Sequence, residues 1–269
     1  MARQLLRILL LSTIIFHWLS GISAVYEPIS IDSVDYHRIS FKKVRKLISG
    51  QKQFGLKTFD EIHTVCYNTL DSNNYRTFKK SQLIQQNINV VWDNLTHQSR
   101  SSEFDGRIVT FGMLYSKKYN NILYNNESFA GLEEGQVLFF NLRVLSGIKN
   151  LAVALEVTKM DPESKVVEYC YVEHGDTKGT QRFSLKPTTE GFTEITQFTR
   201  YKCSSKLRGR RLYYFFHDRI VKEFFNKIKS KSEAMKNASL EISDIYYWGF
   251  RGWRFPLPNS LSIQSCLKT

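Results

Sequence analysis

The side chains that could carry protons or hold a metal are His63, His97, His174 and His217. None stands at a ligand spacing such as H-x-x-x-H, and no Glu–His couple sits on a zinc-binding helix pattern. The chain has no G-x-S-x-G elbow, no phosphate-cradling P-loop and no G-x-G-x-x-G. The four cysteines, Cys66, Cys170, Cys203 and Cys266, include no C-x-x-C pair for zinc or redox work and are too sparse for a disulfide scaffold. Cys170 falls in the middle of a strand pattern, where a cysteine behaves as a small buried apolar residue. No nucleophile, metal ligand or cofactor-binding motif is assigned, so catalytic residues stay unknown. EHGDTKG, residues 173–179, gathers acid, base and turn formers and reads as a hydrophilic hairpin tip. The run after it is basic: Lys202, Lys206, Arg208, Arg210 and Arg211 precede any acid until Asp218. Those cations offer a contact for an anionic membrane surface or an acidic ligand; a solvated loop is the competing reading.

The N-terminus is read apart from the fold. Arg3 and Arg7 form a basic start, ILLLSTIIFHWL (residues 8–19) an apolar core, and SGISA ends on Ala24. A membrane-spanning helix needs roughly 18–20 apolar residues, so this segment reads as a secretory signal cleaved near Ala24, with an uncleaved N-terminal anchor as the competing reading. Export to the periplasm or exterior is the expectation. Residues 25–269 would then remain, and losing two arginines lowers the formal charge from +13 to +11. Such a charge suits anionic surfaces. Nucleic acid is not expected as a partner, because export and the lack of stacking or zinc motifs argue against it. Sequons stand at Asn94, Asn126 and Asn237.

The elements follow from periodicity. FKKVRKLI (residues 41–48) has helical spacing, and FDEIHTVCYNTL (residues 59–70) reads as a second helix. SQLIQQN from Ser81 reads as a strand running into a helix that begins at Asn89, an N-cap candidate, with Val91, Trp92 and Leu95 on one side. Strands are expected over 108–116, 135–145, 151–160, 165–174, around TQRFSLKP and over 192–203, with a shorter one in NNILYNNESFAG. Residues 212–236 then form a long amphipathic helix through Phe216, Ile220, Phe224 and Ile228. GFRG (residues 249–252) reads as a turn, and the aromatics of IYYWGFRGWRF as a wrap packed on the domain, since exposing them would invite association.

In its order of elements the chain resembles the SRPBCC, or START-like helix-grip, superfamily of lipid-transfer domains, polyketide cyclases and the birch-pollen allergen group. Three stretches carry the likeness: the strand leading into Val91, Trp92 and Leu95; the hairpins from EVTKMDPES to QFTRY; and LYYFFHDRIVKEFFNKIK at the place of the gripped helix. The implied fold class is α+β, a curved antiparallel sheet wrapped around a long C-terminal helix. The expected domains are a signal (1–24), an N-terminal helical extension (25–80), the helix-grip domain (81–236) and an aromatic C-terminal extension (237–269). A concave sheet cannot close its own apolar face, so the Trp92 helix is expected to plug one end.

The resemblance implies a cavity between sheet and helix and, as partner, a hydrophobic small molecule of lipid or polyketide type. Non-enzymatic binding leads; a cyclase- or hydratase-type enzyme and an interaction protein with a filled interior stay open. The expected inner wall is Tyr115, Phe140, Val153, Leu155, Phe183, Phe216 and Ile220, around a void on the usual scale of about 300–1,000 Å³. If the hairpin turns fall at Gly175–Lys178 and around Thr188–Gly191, Cys170 lies opposite Phe183, and Phe183 opposite Gln197. Cys203 is then about 9–10 Å across the sheet from Cys170 and about 20 Å along it. The two are expected not to be bonded, with Cys170 a buried thiol and Cys66 and Cys266 able to meet.

Overall fold

The computed structural model describes residues 27–97, 104–125, 127–144, 147–204 and 213–252, with side chains to 234 in the last segment. The signal, Asn126, Lys206, Arg208, Arg210, Arg211, Cys266 and the side chains of Asn237 and of residues 245–255 lie outside the described residues.

After α1 (Lys42–Gly50) come β1 (Thr64–Val65) and β2 (Arg76–Ile84), then α2 (Ile88–Thr96). The strands continue with β3 (Val109–Ser116), β4 (Asn121–Tyr124), β5 (Gln136–Val144) and β6 (Lys149–Asp161). They end with β7 (Val166–Val172), β8 (Thr177–Pro187) and β9 (Thr193–Cys203), before α3 (Tyr213–Gly252). The sheet order is β2-β9-β8-β7-β6-β5-β3-β4, antiparallel throughout, with β1 added beside β7. Among the described residues no helix is long and apolar enough to cross a membrane.

Both faces of this sheet are covered. On the concave side Phe225, Ile228 and Val221 of α3 and Val91, Trp92 and Leu95 of α2 share one core with Leu138, Val157, Phe183, Leu185 and Ile195. Helix α2 does plug the end: Trp92 is 3% exposed, and Asn94 Nδ2 donates to Ser232 Oγ on α3 at 3.1 Å. Its cap is Asn87, whose Oδ1 accepts from the Asn89 N–H, not Asn89 itself. On the convex side Ile31, Ile39, Val44, Ile48, Phe59 and Ile62 pack on Met113, Tyr115, Val137 and Phe139. The N-terminal segment is therefore the second layer over the sheet.

Four expectations are corrected. Residues 59–70 do not form a helix: Phe59 and Ile62 are buried in the convex core, and Thr64–Val65 pair with Val172 and Tyr171. Sheet pairing by two β-branched residues outweighs a short amphipathic period. Helix α3 continues to Gly252, so the GFRG turn is absorbed into it. Cys170 is not a free thiol; it is bonded to Cys66, with Cα atoms 4.9 Å apart, which also excludes a Cys66–Cys266 pair. The β7–β8 turn falls earlier than expected because His174 takes a left-handed conformation (φ 63°), so Cys170 faces Thr180 and Phe183 faces Val167. The Phe183–Gln197 register is as expected, and Cys170 and Cys203 are not joined.

Candidate ligand-binding cavity

The concave face and α3 do not meet everywhere. Between them lies a cavity of about 700 Å³ whose walls are mostly apolar, within the range of small-molecule sites. The sheet supplies Phe140 from β5, Val153 and Leu155 from β6 and Phe183 from β8; the helix supplies Phe216 and Ile220. Six of the seven expected wall residues are brought together here. The seventh, Tyr115, is not on the wall. It is fully buried on the convex side against Phe59, and its hydroxyl donates to Asn120 Oδ1 at 3.3 Å. The reason is a register shift between Phe111 and Met113. A bulge moves every later side chain to the other face, so Phe111 and Leu114 join the concave core while Met113 and Tyr115 join the convex one.

The cavity reaches the surface at one side of β6. Lys149 to Ala154 pair with β5, but β7 first meets β6 at Leu155–Tyr171. Beside that unpaired edge the lining passes to Lys43 and Leu47 of α1 and to Glu173, Gly175 and Asp176 of the hairpin tip. Charged side chains at this end thus stand at the mouth. Lys202, expected to face an anionic surface, is ion-paired with Asp71 at 2.9 Å.

Periodicity did not single out a polar group on the wall. Gln181 Nε2 donates to the Tyr171 hydroxyl at 2.7 Å, and that hydroxyl shares a 2.6 Å hydrogen bond with Tyr213. Gln197 Nε2 donates to Gln181 Oε1 at 3.0 Å and lies 3.1 Å from His217 Nε2, which is also 3.2 Å from Thr199 Oγ1. His217 is 6% exposed, and burial lowers its pKa to about 3, with Asp218 opposing the shift. The imidazole is therefore neutral. Burial likewise raises the pKa of Tyr169, Tyr171 and Tyr213, so all three stay protonated phenols. One signal was legible: Gln181, Gln197 and Thr199 stand in the inward phase of β8 and β9, alternating with Arg182, Phe198 and Arg200. Polar residues in a core phase call for a partner.

Elsewhere on the wall, Glu223 accepts from the Ile108 N–H at 3.0 and 3.2 Å, and Lys227 donates to the Asp105 carbonyl at 2.8 Å. These bonds fasten α3 to the loop before β3. Among the described residues no cluster of His, Cys, Asp and Glu could hold a metal ion.

A concave antiparallel sheet closed over a cavity by one long helix is a helix-grip architecture. No family model and no curated protein matches the chain. Among solved structures it is similar to the ginseng (Panax ginseng) major latex-like protein 151, at 13% identity and a TM-score of 0.41, over 60% of this chain and 97% of that one. It is also similar to the Zhui aromatase/cyclase from Streptomyces sp. R1128, at 13% identity and a TM-score of 0.43, over 59% and 94%. A third is a Thalictrum norcoclaurine synthase point mutant, at 9% identity and a TM-score of 0.43, over 60% and 96%. At this distance the likeness concerns the path of the chain alone.

Proposed function

We propose that this is an exported protein that binds a hydrophobic small molecule between its sheet and its long helix and releases it unchanged. The observation that carries this reading is the apolar cavity of about 700 Å³, large enough for a molecule of drug or lipid-fragment size. Binding without turnover is supported by His217: a pKa of about 3 makes it a weak proton carrier near neutrality. Export is supported by the Cys66–Cys170 bond, since disulfides persist in oxidising compartments.

The test is native mass spectrometry of the full chain, secreted and gently purified, with N-phenyl-1-naphthylamine fluorescence as a second readout. A small-molecule adduct or saturable probe binding is expected, and both should be lost when Val153→Trp fills the wall. The chain should begin at Val25. Wild-type protein that carries no adduct and binds the probe no better than Val153→Trp overturns the binding reading. A retained residue 1 overturns cleavage alone.

A further inference from the structure

Tyr169 is 9% exposed and lines the cavity, with its ring edge-on to Phe183 at 5.9 Å. Its cross-strand neighbour is Gln181, whose amide is already engaged with Tyr171 and Gln197. No described residue hydrogen-bonds the Tyr169 hydroxyl, and its oxygen is not among the sealed polar atoms of the interior. A buried hydroxyl at an apolar wall, reachable from the cavity and unspent, is a donor in search of an acceptor. The neighbouring network points the same way. Tyr171 and Tyr213 share a single contact, and Tyr171 accepts from Gln181, so one phenolic proton there is left over. Nδ1 of His217 has no partner among the described residues.

Charge narrows the class of molecule. This stretch of wall holds phenols, amides and a neutral imidazole. The ionisable lining residues are elsewhere: Lys43, Lys149, Glu173 and Asp176 at the mouth, and Glu223 and Lys227 against the loop before β3. A charged ligand group at Tyr169 would be buried without a counter-charge, which is costly. A lone hydroxyl or carbonyl oxygen would instead gain a donor in a dry site.

We infer that the ligand is an uncharged, largely apolar molecule bearing an oxygen function that accepts a hydrogen bond from Tyr169. This rests on the cavity reading above and adds the chemical class of the ligand. The test measures affinities of fluorene, 9-fluorenone and fluorene-9-carboxylate, three probes of one ring system, by calorimetry on the full chain. Wild type should prefer the ketone over the hydrocarbon by roughly three- to tenfold, the worth of one net hydrogen bond, and bind the carboxylate most weakly. Tyr169→Phe should bring that ratio to about one without loss of thermal stability; Tyr119→Phe, on the surface, should keep it. A ratio that persists in Tyr169→Phe, or a carboxylate that binds as tightly as the ketone, overturns the assignment while the cavity reading stands. Wild type that binds none of the three overturns both.

Discussion

Cys66 and Cys170 join the segment after the convex layer to the middle strands of the sheet, closing a loop of 104 residues. The bond sits next to the β1–β7 pairing and to the hydrogen bond from the Tyr67 N–H to Thr180 Oγ1, so covalent and hydrogen-bonded ties hold the same point. A closure of this length removes much of the unfolded chain's freedom. Cys66→Ser is expected to lower stability by about 3–5 kcal/mol under oxidising conditions. Urea unfolding with and without dithiothreitol checks this: reduction should destabilise wild type by a similar amount and leave the variant's midpoint where it was.

His217 makes stability depend on acid. Its folded pKa, about 3, lies below the ordinary 6.5. As pH falls through 6.5 the unfolded chain gains a proton that the folded chain refuses, so stability is lost down to about pH 3, where the folded imidazole too is protonated. The slope from this one group approaches about 1.4 kcal/mol per pH unit. Unfolding curves of wild type and His217→Gln should therefore diverge in the variant's favour between pH 6 and 4. Parallel curves would place the imidazole in water.

The path of the sheet and helix was legible because each strand carries its own signal. The turn formers at Thr188–Gly191 place Phe183 opposite Gln197, and helical spacing in α3 puts Phe216 and Ile220 on the wall. Tyr115 was not legible, since β3 is buried on both faces and nothing in VTFGMLYS marks where the bulge flips the phase. Nor was the Cys66–Cys170 bond. It depends on β1, two residues long, displacing a helix whose local pattern looked stronger. The polar network shows in the sequence only as a phase, because Gln and Thr in strands more often face water. Its meaning comes only from three strands and a helix converging.

Gly112 sits at that bulge under α1. A Cβ there would lie 2.8 Å from Val44 Cγ1 and 3.0 Å from the Phe139 carbonyl oxygen. Gly112→Ala should destabilise by about 1–3 kcal/mol through overpacking. Combining it with Val44→Ala should cost less than the sum of the single changes by at least about 0.5 kcal/mol, because the two share one space. Additive effects in denaturant unfolding would show that α1 does not rest on the sheet at this point.

Asn94 heads an N-x-T sequon, yet its side chain is spent. It is 5% exposed and donates to Ser232 Oγ, itself fully buried, at the junction of α2 and α3. A glycan attached there could not coexist with this packing, so a chain passing through a eukaryotic secretory pathway should reach the folded state unmodified at Asn94. Glycopeptide mapping of secreted protein checks it: occupancy at Asn94 in the soluble, folded fraction would contradict the α2–α3 contact. The same contact has an energetic readout. Asn94→Ala strands the Ser232 hydroxyl in the core, an unsatisfied buried group worth about 1–3 kcal/mol. Removing both partners in Asn94→Ala/Ser232→Ala should cost less than the two single changes added together. The Val153→Trp variant supplies the control, since it blocks the cavity wall and leaves this junction untouched. A double variant whose loss equals the sum would mean that the two side chains do not interact, and that the Trp92 plug is held by its apolar face alone.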